Sequence, residues 1–162
     1  MALMAEVPST NESFTESKSL AVLSEPLLLS GTLSYNRPDR LEKHVLSPYE
    51  EHLIVEGNNL TLINKNGKKK RIALSRYPII QAFVESIRGT LAGDGDALKR
   101  FYRVGLSGDR RNWTLTLRPL DQELADYVRS IELSGTEAQV TRVDIREAGG
   151  DSSVMTIHKD AS

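Results

Sequence analysis

The sequence predicts a mainly β (α+β) protein: a curved antiparallel sheet, or unclosed β-barrel, with a helical lid over an apolar cavity. Three observations predict it. Apolar and polar residues alternate with a period of two through many short stretches, turn-forming residues separate those stretches, and one central segment switches to the helical period of about 3.6. A twisted sheet of nine or ten such strands cannot lie flat and must curl, close or split, so its concave apolar face needs a cover.

Each element follows in order. Residues 9–18 are rich in Ser, Thr, Asn and Glu and read as an exposed lead-in. Residues 1–13 are therefore expected to be a flexible or truncated N-terminal lead-in, and residues 14–162 a single domain. Leu27, Leu29, Gly31, Leu33 and Tyr35 alternate with Leu28, Ser30, Thr32, Ser34 and Asn36, a strand with one buried face, and Arg37-Pro38-Asp39 turns the chain. Further strands are expected over residues 41–46, 52–56, 60–64 and 69–74. Of the turns between them Asn66-Gly67 is the strongest, read as type I′ because both residues tolerate positive φ.

The period then changes. Ile80, Phe83, Val84, Ile87 and Leu91 form a helical stripe that starts beside Pro78 and ends before Gly93. Residues 97–102 add a short second helical turn, capped by Asp94 or Asp96. Strand signals return over residues 101–106, 113–117, 127–133, 140–146 and 154–158. On these strands Trp113, Leu115 and Leu117 share a face, as do Ile131 with Leu133, Val143 with Ile145, and Met155 with Ile157. The stripe over residues 80–91 is the one long apolar helical face, so it becomes the lid. The cavity lining is then expected from Leu33, Tyr35, Leu53, Val55, Leu60, Leu62, Trp113 and Leu115 on the sheet and Ile80, Phe83, Val84 and Ile87 on the helix. Alternation alone favours an ordinary filled core for these residues, since that is how any sheet packs.

Composition removes whole classes of function. A net charge of -1 over 162 residues gives no basic field for nucleic acid. The absence of cysteine rules out disulfides, thiolate nucleophiles and Cys-type zinc sites. No apolar run approaches the roughly 18 residues of a membrane span, since residues 79–91 are interrupted by Gln81, Glu85 and Arg88. The first ten residues lack the charged start and apolar stretch of a secretion signal. Lys68-Lys69-Lys70-Arg71 follows a hairpin turn and reads as an edge strand protected against pairing, with docking to an acidic membrane partner as the weaker alternative.

Catalytic and metal signals are thin. Asp94-Gly95-Asp96 lacks the spacing of a calcium loop, and His44, His52 and His158 lack metal-ligand spacing. There is no Gly-x-Ser-x-Gly elbow or phosphate-cradling loop, and the Asp121 and Glu123 carboxylates are unremarkable without a pocket. The sequons at Asn11, Asn59 and Asn112 matter only in a eukaryotic secretory pathway. The chain is expected to be no enzyme and to hold no metal or cofactor.

Several motifs resemble, in their order along the chain, the outer-membrane lipoprotein carrier protein (LolA-like) family, in its divergent branch. They are Phe14-Thr15-Glu16, the run from Pro26-Leu27 through Gly31-Thr32-Leu33 to Tyr35, Arg37-Pro38-Asp39-Arg40-Leu41, Pro48-Tyr49-Glu50-Glu51, and Val55-Glu56-Gly57-Asn58-Asn59-Leu60. Leu91-Ala92-Gly93-Asp94, the strand from Trp113 to Pro119 and the Gly149-Gly150-Asp151 turn also match. The resemblance implies a half-barrel with a helical lid and a monomeric periplasmic carrier that hides acyl chains of a lipoprotein or other lipid. Its partners would be an inner-membrane donor and an outer-membrane acceptor, without nucleic acid. It also implies a lid-gating role for Arg37. Two departures from the better-known members stand out: the N-terminal helix looks truncated to residues 2–7, and Tyr35 stands where a Trp-rich strand would be. The alternative is a non-enzymatic β-sheet interaction module of an envelope export or lipid-modification system.

Overall fold

A computed structural model describes residues 9–36, 39–91, 95–137 and 139–158. The strands are β1 (Ser9–Ser19), β2 (Leu27–Asn36), β3 (Arg40–Ser47), β4 (Glu51–Glu56), β5 (Asn59–Ile63), β6 (Lys69–Ala73), β7 (Tyr102–Gly108), β8 (Trp113–Pro119), β9 (Val128–Thr136), β10 (Gln139–Glu147) and β11 (Ser152–His158). They form one antiparallel sheet of 11 strands in the order β6-β5-β4-β3-β2-β1-β11-β10-β9-β8-β7. Among the described residues three α-helices, α1 (Pro78–Leu91), α2 (Gly95–Phe101) and α3 (Gln122–Ala125), and a 3-10 turn at Leu74–Arg76 interrupt them. The sheet is not closed, because β6 and β7 are opposite edges. The chain thus leaves the sheet at one edge, runs through α1 and α2, and re-enters at the other.

The expected lead-in is instead the middle of the sheet. β1 pairs with β2 from Lys18↔Leu27 to Ser9↔Asn36, and on its other side with β11 from Ser13↔His158 to Ser19↔Ser152. Its polar composition hides a strand whose inward residues are Phe14 and Glu16, 1% and 5% exposed. Long-range pairing on both sides overrides local propensity. The helix expected over residues 2–7 lies outside the described residues.

The strands read from alternation form with small shifts at their ends. β2 shows the alternation directly, with Leu29, Leu33 and Tyr35 buried and Leu28 exposed. The turn before β6 differs from the type I′ expectation. Gly67 has φ 79° and its N–H donates to Asn64 O at 2.9 Å, while Asn64 N–H donates to Lys68 O at 3.0 Å. That is a three-residue loop closed by a glycine in the left-handed region. Asn64 Oδ1 favours it by accepting from the N–H groups of Asn66 and Lys68 at 2.9 and 3.0 Å.

α1 begins at Pro78, whose missing N–H costs nothing in a first turn. Ala82, Phe83, Val84 and Ile87 join the core. Asp96 lies in the first turn of α2, whereas Asp94 is outside the described residues. Asp121 and Glu123 have a structural role: Asp121 Oδ1 accepts from Glu123 N–H at 3.0 Å and caps α3. Among the described residues, no helix is long and apolar enough to cross a membrane, and no group of three His, Cys, Asp or Glu could hold a metal ion. His44 and His52, on the consecutive strands β3 and β4, are cross-strand partners whose rings stack at 4.5 Å, with His44 Nε2 3.0 Å from Glu50 Oε1.

Candidate functional site

Inward-facing residues of β3, β4 and β5 alternate with outward ones, and the first half of α1 lies over them. Between the two is a cleft of about 330 Å³. Val45, Leu53 and Leu62 line it from the sheet, Ile79, Ile80 and Phe83 from the helix, and Ile145 from β10. Lys18, Glu51, Asn64, Glu147, Ser152 and Ser153 add polar wall. A volume of this size is at the small end of ligand pockets, which run from roughly 300 to 1,000 Å³. A larger depression of about 600 Å³ is polar and lined by Arg40, Glu56, Lys69 and Arg71. Its Arg40 is already committed to Glu56 and Glu42.

A nearly buried ion pair also lines the cleft. Lys43 Nζ is 2.7 Å from Glu16 Oε1, with the two side chains 13% and 5% exposed. The ammonium also lies 5.5 Å from the centre of the Phe14 ring and 5.6 Å from that of Phe83. Cation–π attraction and the carboxylate offset part of its lost hydration. Burial nonetheless pushes the Lys43 amine below its ordinary range, against the opposing pull of Glu16. Glu147 moves the other way: burial raises its carboxyl, Asp151 adds to that, and Lys18 opposes it.

The far half of α1 is tied down. Arg88 Nη1 donates to the carbonyl oxygens of Asp39 at 3.1 Å and Gly57 at 2.8 Å, joining the helix to the β2–β3 and β4–β5 turns. Two further hydroxyls near this end, Thr90 Oγ1 and Tyr102 Oη, are buried and have no hydrogen-bond partner among the described residues. Burial, and then the Glu85 carboxylate, raise the Tyr102 phenol above its ordinary value.

Of the cavity residues expected from sequence, Leu53, Leu62, Ile80 and Phe83 line the cleft. Leu33, Tyr35, Val55, Leu60, Val84, Ile87 and Leu115 are buried in the packed core. Trp113 is half-buried, donates from Nε1 to Glu137 O at 2.9 Å and covers Gly135, where a Cβ would come 2.3 Å from its ring. Arg37 lies outside the described residues. Sequence reasoning passed over Glu16, Lys43 and Arg88. A signal existed for the first two: Lys43 shares the inward parity of Leu41 and Val45, and Glu16 that of Phe14. Opposite charges on the buried parity of two strands suggest a pair.

The family profile described as outer membrane lipoprotein carrier protein LolA-like matches residues 2–161. Among curated protein sequences none matches the chain. The fold is similar to a LolA superfamily protein from Nitrosomonas europaea, at 13% identity and a TM-score of 0.52, covering 98% of this chain and 88% of that one. It is also similar to a chain in the MucA/MucB complex of Pseudomonas aeruginosa, at 13% identity and a TM-score of 0.50, covering 98% of this chain and 54% of that one. At such identities these structures speak to the fold.

Proposed function

The chain belongs to the outer membrane lipoprotein carrier protein LolA-like family, and from that premise we propose that it is a non-enzymatic carrier whose cleft shelters an acyl chain of a lipoprotein or other lipid. The observation that carries this reading is the cleft itself, with Val45, Leu53 and Leu62 on its β3–β5 wall and Ile79, Ile80 and Phe83 as its roof. Each methylene taken out of water contributes roughly 0.8 kcal/mol, so even part of a chain provides useful affinity. The compartment would be the periplasm, with an inner-membrane donor and an outer-membrane acceptor at either end of the transfer.

The helix supplies the moving part. Its first half roofs the cleft while its second half is held by Arg88 on two turns, so opening would pivot about the tethered end. Arg37 would, as the family resemblance implies, bias that lid toward its closed form. Transfer then requires cargo to bind the open form better than the closed one, and the receiver to bind it better still.

Native mass spectrometry of protein from a bacterial host, before and after lipid extraction, tests the proposal. Acyl-chain mass retained before extraction, and reduced or altered in Arg37→Leu, is the expected result. Protein that is bare throughout and ignores added lipid would point to a packed interaction module instead.

A further inference from the structure

The acyl-chain reading leaves one feature unused: a nearly buried ion pair in the wall of the cleft, beside its apolar residues. A salt bridge in such a place is a poor device for stability, because desolvation offsets most of the attraction, and an apolar pair of similar volume would pack as well. Lys43 sits at the wall, has three N–H donors, and spends one on Glu16 Oε1 at 2.7 Å. The ammonium also faces the Phe14 and Phe83 rings, which attract a cation but accept no conventional hydrogen bond, while Lys18 and Glu51 act on it through charge. Donor capacity therefore remains, beside the space that Leu53, Leu62 and Ile80 leave for a chain.

The surrounding charge limits what can use that donor. Lys18 and Lys43 are the amines of the lining, and Glu16, Glu51 and Glu147 its carboxylates. The acids outnumber the bases, and Lys43 is already neutralised by Glu16. A free carboxylate or phosphate placed against Lys43 would face Glu16 as well, and like charges at that range repel. A cationic head would face Lys43. A neutral acceptor has neither problem.

Resting on the acyl-carrier reading, we propose that Lys43, positioned by Glu16, donates to the carbonyl oxygen of a glycerol-linked acyl ester, so that the cleft selects esterified chains over free fatty acids and over chains without a carbonyl. Glu16 holds the ammonium and cancels its charge, Phe14 and Phe83 flank it, and the apolar wall takes the methylenes. Lys43 is the polar anchor that fixes how deep the chain enters.

The test compares 1-monolauroylglycerol, its ether counterpart 1-O-dodecylglycerol, which lacks only the carbonyl, and laurate at pH 8. Each is titrated against the full chain and against the double variant Glu16→Leu with Lys43→Met, whose fold is checked by circular dichroism. The full chain is expected to bind the ester about tenfold more tightly than the ether, the scale of a hydrogen bond from a charged donor, and to bind laurate more weakly than the ester. The double variant should bind ester and ether alike, near the full chain's affinity for the ether. Equal binding of ester and ether by the full chain, tighter binding of laurate, or an ester preference that survives in the double variant would each overturn the anchor while leaving the acyl cleft standing. Failure of the full chain to bind any of the three would instead remove the carrier reading on which the anchor rests.

Discussion

The two sides of the concave face obey the same alternation and end differently. On the β8–β10 side, Leu115, Leu117, Ile131, Leu133 and Val143 are each 1% exposed or less. On the β3–β5 side, Leu62, Ile79 and Ile80 are half-buried and border the cleft, with Lys43 and Glu16 set among them. Period two tells which face of a strand is covered, not how completely the space beyond it is filled. What separates these two sets is the chemistry at inward positions: aliphatic from Leu115 to Val143 on one, interrupted by the pair that Lys43 of β3 makes with Glu16 of β1 on the other. α1 carries the same contrast along its length, with a roofing half and a tethered half.

The sharpest way to break this comparison is to cut equal volumes from both sides. Leu133→Ala, in the closed half, is expected to cost about 3–5 kcal/mol, because neighbours collapse only partly around a new void. Leu62→Ala already borders open space and should cost less than about 1.5 kcal/mol, its effect appearing instead as weaker binding of a hydrophobic dye or acyl ligand. Urea denaturation of both variants checks this. Equal losses would mean that the cleft wall is as tightly packed as the core.

The charged pair comes next. Lys43→Met alone strands the Glu16 carboxylate in a nearly buried site and should cost about 3 kcal/mol at neutral pH. Adding Glu16→Leu should return most of that stability, since a packed apolar pair is often as good as a buried ion pair. If the double variant were as unstable as the single one, the pair would be holding the strands together and not merely tolerated among them.

Most of the architecture was legible because strands and the helix announce themselves locally. Leu29, Leu33 and Tyr35 alternate cleanly, and Ile80, Phe83, Val84 and Ile87 repeat at helical spacing. β1 was not legible for a physical reason: its polar composition looks like a loop, and only pairing with β2 and with β11, at the other end of the sequence, makes it a strand. The site suffered similarly. Leu53, Leu62, Ile80 and Phe83 could be placed on the right faces, but whether they met a partner or a space depended on how the sheet curves. Arg88 looked like an interruption of an apolar run, and its two carbonyl acceptors come from turns 31 and 49 residues away.

That tether is the next point of attack, with a smaller effect. Arg88→Ala removes a charged donor from two carbonyls at a partly solvated site, and about 1–2 kcal/mol of stability should go with it. The larger signature should be kinetic: if α1 pivots on this end, dye enters and leaves the cleft several-fold faster by stopped flow. Unchanged exchange together with lost stability would assign Arg88 to the fold and not to the lid.

Glu85, one turn before Arg88, has the smallest expected effect and the most exact sign. Burial raises its carboxyl above the ordinary value, while the Gln81 side-chain hydrogen bond and the Arg88 charge pull it down without cancelling the shift. A carboxyl whose folded-state value lies above its unfolded one binds protons more readily when folded. Stability therefore falls as pH rises through that window, and the ionised group is a cost at neutral pH. Glu85→Gln should then stabilise the protein at pH 7 by less than about 1 kcal/mol, a figure held down because the half-buried side chain is screened by water. The gain should vanish near pH 3, more than a unit below the unfolded carboxyl's value of about 4.3, where both states are protonated. Urea curves at the two pH values decide it. A loss at pH 7 would mean that the attraction to Arg88 exceeds the desolvation cost, which would make Glu85 part of the tether and extend the anchored half of α1 by a turn toward the cleft.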